Sequence, residues 1–422
     1  MKSRKILSTL AITLSLTLLS PLSYKASSAE TTSVKALPSV AAKAAITIDY
    51  DTGEIIYAKD IDAKKYPAST TKLMTSLLFA ENKTINDTIT YTEEAKAQPA
   101  FSMNTNMQPI EVGQEMTADD VMKALLLYSA NDSAYMIADA VGGSSAGFAE
   151  LMNKKAQELN MTNTHFITPN GLHDENHYTT AYDLSLLGKA AYSNEWVREV
   201  MGTSKAEITI NKTAVFPVEN RNENLGKNGC IGGKTGYTQQ AGRCLVALYE
   251  RDGRKIIGVV LDSTKDEHSP QVFKDMESII NYSYGAEQST LTKAGTEIGK
   301  ISVNYKAFKF FGPTKTIEAP VILDKDISVY SNSVNLKENK TEIASTDKDG
   351  WSLASSPSTK VNFSVRDYKA EYTGTANIKI SQLLKANAVI YIITIAVILV
   401  VLFLASLIFK ARKNSYRRRR RY

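Results

Sequence analysis

The sequence predicts an α/β chain of the α+β kind: one antiparallel sheet with an inserted helical region, then a small β-rich domain, then one membrane-crossing helix. Three observations carry this. Short β-branched runs at 41–58 and 244–261 flank a long stretch of helical periodicity. After about Tyr284 the texture changes to Thr, Ser, Lys and Val in brief alternating stretches. Residues 388–409 are 22 residues without a charge, a length that spans roughly 33 Å as a helix.

The first 29 residues read as a secretory signal. Lys2, Arg4 and Lys5 give a positive start, residues 6–19 are apolar apart from Ser and Thr, and Ser27-Ser28-Ala29 offers small side chains for cleavage. An uncleaved N-terminal anchor is the other reading of that pattern. Residues 41–49 alternate as a strand, Tyr50-Asp51-Thr52-Gly53 reads as a turn, and residues 54–58 return. Pro67 precedes a helix starting near Ser69, with Leu73, Met74, Leu77 and Leu78 as its apolar stripe. Thr117 and Asp120 form a capping-box pattern before a helix that ends near Tyr128. Residues 132–141 form the next helix, closed by Gly142-Gly143. Two more amphipathic helices cover 148–159 and 183–192.

Strand character returns at 208–210 and 231–235, and residues 236–242 read as a turn region. Residues 244–249 and 256–261 read as strands joined through Arg251-Asp252-Gly253, and 272–284 as a closing helix. The resulting division is a signal at 1–29, a main domain at 30–285, a β-rich domain at 286–385, a membrane helix at 386–409 and a basic tail at 410–422.

Charge placement limits the function classes. The formal charge is +6, but the two tails hold twelve basic residues and no acid, which leaves 38 basic against 44 acidic residues between them. A nucleic-acid partner is therefore not expected, because the basic excess lies outside the folded body. Lys410, Arg412, Lys413 and the five arginines at 417–421 follow the apolar run directly. Such a cluster belongs on the cytoplasmic side, touching anionic lipid, with the body outside the cell membrane on a single-pass anchor. In an exported chain Cys230 and Cys244 could form a disulfide or stay free and buried; the sequence leaves this open.

Three short motifs carry chemistry. Ser69-Thr70-Thr71-Lys72 puts a hydroxyl and an amine on one helical face. Serine is a poor nucleophile until a base takes its proton, and lysine serves only when burial or a second cation holds it neutral. Ser129-Ala130-Asn131 falls between two predicted helices, where a hydroxyl can shuttle a proton and an amide can meet a peptide. Lys234-Thr235-Gly236 ends a predicted strand, where Lys234 and Thr235 suit a carboxylate and Gly236 lets a ligand lie close. Alone, each motif reads more readily as a helix start, a turn or a strand end than as a site.

In order and with their flanks, the motifs resemble the serine D-alanyl-D-alanine carboxypeptidases, the low-molecular-mass penicillin-binding proteins of the peptidase S11 type. The resemblance covers roughly residues 40–285. It rests on Tyr66-Pro67-Ala68-Ser69-Thr70-Thr71-Lys72-Leu73-Met74-Thr75, Leu151-Met152-Asn153, Glu158-Leu159-Asn160-Met161, Thr164-His165-Phe166, Asn170-Gly171-Leu172, Thr180-Ala181-Tyr182-Asp183-Leu184 and Gly233-Lys234-Thr235-Gly236-Tyr237-Thr238.

It implies a β-lactamase/transpeptidase-like domain. Ser69 would form the acyl-enzyme with Lys72 as base, and Ser129 would relay protons. Asn131, Lys234, Thr235 and Gly236 would hold substrate, with the N–H groups of Ser69 and Tyr237 as the oxyanion hole. The implied substrates are peptidoglycan stem peptides, with β-lactams as inhibitors. A D,D-endopeptidase, a β-lactamase or a non-catalytic wall-binding module remain as alternatives.

No cofactor or metal is expected: His173-x-x-x-His177 lies in a Gly/Asn/Asp-rich loop without a partner cluster, and His165 stands apart. Glu158-Leu159-Asn160 mimics the glutamate segment that activates water in class A β-lactamases, but reads here as the polar face of a helix.

Overall fold

The computed structural model describes residues 36–99, 101–210 and 213–419. The signal at 1–29 and the side chains of the arginine run lie outside the described residues. The first sheet has five antiparallel strands: β1 (Ala44–Asp49), β2 (Ile55–Lys59), β3 (Cys230–Thr238), β4 (Gly242–Arg251) and β5 (Arg254–Leu261). Their order is β2-β1-β5-β4-β3. Distant parts of the sequence meet at its centre, where Ile46 faces Val259. The chain leaves the sheet after β2 and re-enters at β3, so β3 lies at an edge.

Both faces of this sheet are covered. Ile46, Val246, Leu248 and Ile257 pack on one side with Leu184, Leu187 and Ala191 of α5 (Ala181–Ser193). The alternate residues Ala45, Leu245, Ala247 and Val260 pack on the other with Val272, Met276, Ile279 and Ile280 of α7 (Gln271–Tyr284). Period-two alternation sends neighbours to opposite faces, so a strand buried on both faces reads as continuously apolar.

The inserted region contributes α1 (Lys72–Asn82), α2 (Ala118–Lys123), α3 (Asn131–Gly142), α4 (Ser145–Glu158) and α6 (Glu195–Gly202). Thr117, Ser144, Thr180 and Asn194 cap α2, α4, α5 and α6, each accepting a backbone N–H from inside its helix. The first eight residues of α1 are all buried, polar ones included, so its sequence stripe understates its burial. Sequence reading missed α6 and, of the hairpin Lys205–Ile210/Ala214–Glu219, found only the end of the first strand at 208–210. It also stopped β3 too early: residues 236–238 belong to the strand, held by pairs such as Gly236 with Cys244 and Thr238 with Gly242.

The second sheet comprises β6 (Glu297–Lys306), β7 (Thr314–Leu323), β8 (Lys340–Ile343), β9 (Ser358–Val365) and β10 (Tyr368–Ala376), in the order β6-β7-β10-β9-β8. Its strands alternate. In β9, Val361, Phe363 and Val365 are buried, while Lys360 and Asn362 are exposed. Asn332 and Asn335 both donate from Nδ2 to the carbonyl of Ile55, at 2.9 and 2.8 Å. Arg366 grips both carboxylate oxygens of Asp62 at 2.8 and 2.7 Å and those of Glu338 at 2.7 and 2.8 Å. Its guanidinium lies 4.4 Å from the Tyr182 ring centre.

Last comes α8 (Ala388–Arg419). Ala388–Tyr416 has mean hydropathy 3.2 over its most apolar window, and none of that window is buried. A helix this apolar and bare of protein cover is long enough to cross a bilayer. Mixed helices with antiparallel sheet and one C-terminal apolar helix are the architecture expected from the sequence.

Candidate active site

The site begins at a sharp entry to α1. A 3₁₀ turn over Ala68–Thr71 runs directly into the helix at Lys72, with Ala68 at φ 48°. Thr70 Oγ1 donates to the carbonyl of Pro67 at 2.7 Å. From behind, Gly171 fits against this turn only because it has no side chain: a Cβ there would lie 1.9 Å from the Ala68 carbonyl oxygen. His177 adds a second brace. Its Nδ1 accepts from the N–H groups of Ile167 and Thr168 at 3.1 and 3.2 Å, which leaves Nε2–H to donate to Thr71 Oγ1 at 2.9 Å. Burial pushes the His177 pKa down to about 4, so the ring is neutral at neutral pH.

Lys72 sits at the centre. It is fully buried, and its Nζ lies 3.0 Å from each of Ser69 Oγ, Asn131 Oδ1 and the Asn170 carbonyl. Burial and then the positive charge of Arg221 lower its pKa to about 7, against a weaker upward pull from Asp132.

Ser129 and Asn131 arrive from the junction of α2 and α3. Past Lys123 the helix widens into a π-helical turn over Ala124–Tyr128, and Ser129 ends it in the left-handed region at φ 72°. Such a conformation is costly for serine and is held by its surroundings. Ala130 then caps α3, whose first residue is Asn131. Ser129 Oγ accepts from Lys234 Nζ at 2.9 Å. Lys234 is also buried; burial first, then the charges of Lys72 and Arg221, hold its pKa well below the usual lysine range.

Gly236 sets the closeness of β3 to the Ser69 turn. A Cβ there would stand 3.0 Å from the Pro67 carbonyl and from the N–H nitrogens of Ser69 and Thr70. The eight residues picked from the sequence therefore converge. Ser69, Ser129, Asn131, Thr235, Gly236 and Tyr237 line a cleft of about 870 Å³, and Lys72 and Lys234 are buried behind it. The Tyr237 hydroxyl turns away and donates to the Lys265 carbonyl at 2.7 Å.

Sequence reading missed Arg221, Phe101 and Asp132. Arg221 lines the cleft with its guanidinium 5.3 Å from the Phe101 ring centre and 4.9 Å from that of Tyr128. Asp132 is buried and accepts from the N–H groups of Met103 and Asn104, each at 3.0 Å, and from the Tyr91 hydroxyl at 3.1 Å. It thereby fixes the segment that presents Phe101. Neither Arg221 nor Asp132 belongs to a recognisable spacing.

The other sequence features resolve separately. Glu158 is exposed at the end of α4 and pairs with Lys155 at 2.9 Å. His173 meets the Tyr66 ring edge-on at 4.6 Å, and His165 bonds the Asn176 carbonyl through Nδ1. Both cysteines are free and buried. Cys230 pairs with Tyr249 across β3 and β4, five residues from Cys244, which is about 17 Å along a strand and too far for a disulfide.

Comparison with known proteins places this geometry among relatives. Residues 30–265 match the peptidase S11 family, described as D-alanyl-D-alanine carboxypeptidase. D-alanyl-D-alanine carboxypeptidase DacF of Bacillus subtilis is 31% identical over 368 residues, covering 84% of this chain and 93% of that protein. D-alanyl-D-alanine carboxypeptidase DacB2 of Mycobacterium tuberculosis is 30% identical, covering 59% of this chain and 84% of that one. The Streptomyces K15 DD-transpeptidase structure superposes with a TM-score of 0.53 at 29% identity, over 59% of this chain and 99% of its own.

Proposed function

The chain belongs to the peptidase S11 family of D-alanyl-D-alanine carboxypeptidases, and from that premise we propose that it removes the terminal D-alanine from peptidoglycan stem peptides through an acyl-enzyme on Ser69. The observation that carries the residue roles is the buried Lys72 amine, 3.0 Å from Ser69 Oγ with its pKa lowered to about 7. In its neutral form the two Lys72 N–H bonds serve Asn131 and Asn170, and the lone pair faces the Ser69 hydroxyl.

Lys72 takes the Ser69 proton as Oγ attacks the carbonyl carbon of the penultimate D-alanine. The N–H groups of Ser69 and Tyr237 receive the negative oxygen that develops. Ser129, bonded to Lys234, relays a proton to the leaving amine. Thr235, Lys234 and Arg221 hold the terminal carboxylate, and Asn131 meets the peptide amide. Water then cleaves the ester and restores Ser69. β-Lactams enter by the same route and stall as acyl-enzymes. A β-lactamase reading finds no support in Glu158, which is exposed and ion-paired.

On the same reading residues 30–285 form the catalytic domain, and 286–385 form a β-rich spacer that sets its height. Residues 386–409 anchor the chain in the cell membrane, with the basic tail inside and the catalytic domain outside.

Product analysis tests the activity. The full chain, incubated with a pentapeptide ending in D-Ala-D-Ala, releases one free D-alanine per peptide, and Ser69→Ala releases none. Cleavage confined to cross-linked dimers would replace the carboxypeptidase reading with the endopeptidase one. Penicillin label surviving in Ser69→Ala would overturn the assignment of the nucleophile.

A further inference from the structure

Between β6 and β7 the chain turns through residues 307–313, and this tip carries three phenylalanines. Phe310 and Phe311 are 82% and 66% exposed, although nothing in the catalytic reading uses them. Phe308 stacks on Phe311 at 5.0 Å between ring centres and packs against Tyr391 at 5.2 Å. Tyr391 belongs to the first turn of α8, and its hydroxyl donates to the Ala307 carbonyl at 2.6 Å. The tip is thus fastened beside the point where the apolar helix begins. Val389 and Ile392 of that same turn are 69% and 66% exposed.

The tip is also chemically suited to a lipid headgroup region. Much of its backbone is internally paired: Ala307 N–H bonds the Pro313 carbonyl, Phe308 N–H that of Phe311, and Phe310 N–H that of Phe308. Backbone groups already paired in this way cost less to bring out of bulk water. Lys306, Lys309 and Lys315 flank the aromatics, and residues 306–315 contain no acid. Lys309 lies 5.3 Å from the Phe310 ring centre, and Lys315 Nζ donates to the Ala386 carbonyl, the last residue before the break that precedes α8. Aromatic rings with adjacent cations are the composition that settles at a bilayer interface carrying anionic lipid.

We propose that the β6–β7 tip is a second membrane contact: Phe310 and Phe311 enter the headgroup region of the outer leaflet beside α8, with Lys306 and Lys309 on anionic lipid. This rests on the reading of α8 as a membrane span. The two contacts together fix the tilt of the second sheet, which a single helix leaves free to rotate.

The test uses the full chain in vesicles of phosphatidylcholine and phosphatidylglycerol. Phe310→Trp reports the tip and Val397→Trp the middle of α8, each read against wild type for the background of Trp196 and Trp351. Both side chains are exposed, so neither change disturbs a packed core. The expected result is a blue-shifted Phe310→Trp emission quenched by lipids brominated near the headgroup, with Val397→Trp quenched by lipids brominated deep in the acyl chains. A quenched Val397→Trp beside an unquenched Phe310→Trp would overturn the tip contact and leave the anchor standing. An unquenched Val397→Trp would overturn both.

Discussion

In β4 of the first sheet, residues 244–249 are buried without interruption. In β9 of the second, buried Val361, Phe363 and Val365 alternate with exposed Lys360 and Asn362. Both sheets have five antiparallel strands. The difference is cover: helices lie on both faces of the first sheet, whereas one face of the second meets solvent. The consequence for lysine is direct. Lys234, on an edge strand of the covered sheet, is stripped of water and held well below the usual lysine range. Lys360 stays exposed and pairs with Glu371 at 3.1 Å. A covered sheet flanked by buried helices strips an ammonium group of water and lowers its pKa; a half-open sheet leaves it a solvated charge.

That contrast can be broken at several points. The largest effect is expected from Lys72→Arg, which keeps the charge but removes any chance of deprotonation. Labelling by a fluorescent penicillin should slow by about a thousandfold. An unchanged rate would detach Lys72 from base catalysis. Next, Ile257→Ala empties a fully buried position in the covered sheet and should cost about 2–5 kcal/mol in denaturant unfolding.

Gly236→Val presses on the turn at Ser69. It should lower the acylation rate about a hundredfold while the thermal midpoint moves little. A large drop in the midpoint would instead make Gly236 a folding residue.

The pH dependence follows from Lys72. On the proposed mechanism the neutral amine is the active form, so acylation should fall about tenfold per pH unit below 7 and level off above it. Stability has its own sign. The folded pKa lies below the ordinary 10.5, so the unfolded chain binds more protons between about 7 and 10.5, and the contribution of this group to stability rises with pH across that window. The smallest effect belongs to Thr373→Ala on the exposed face of β10, expected within about 0.5 kcal/mol of wild type.

The two regions were also unequally legible in the sequence. Ser69 and Lys72 could be paired on paper because three residues along a helix is a local distance. Ser129-Ala130-Asn131 and Lys234-Thr235-Gly236 became meaningful through their order and flanks, which led to a family whose members DacF and DacB2 match this chain. Arg221 stayed hidden because its importance comes from lining the cleft beside two buried lysines distant in sequence, and no spacing records that. Gly236 was read as a strand end where a ligand can lie close; it also admits the Ser69 turn against a strand that continues to Thr238. The helix α6 escaped notice because the one residue Asn194 both ends α5 and caps α6, so no loop marks the boundary.

The Arg366 clamp has a consequence for reach. At one end of the second sheet Arg366 holds Asp62 of the first part of the chain, and at the other Tyr391 and Lys315 bond across the start of α8. On the proposed reading of α8 as a membrane span, a body stapled at both junctions is a strut rather than a leash. A leashed active site would sample a hemisphere of wall, from the lipid outward; one mounted on a strut would patrol a single stratum.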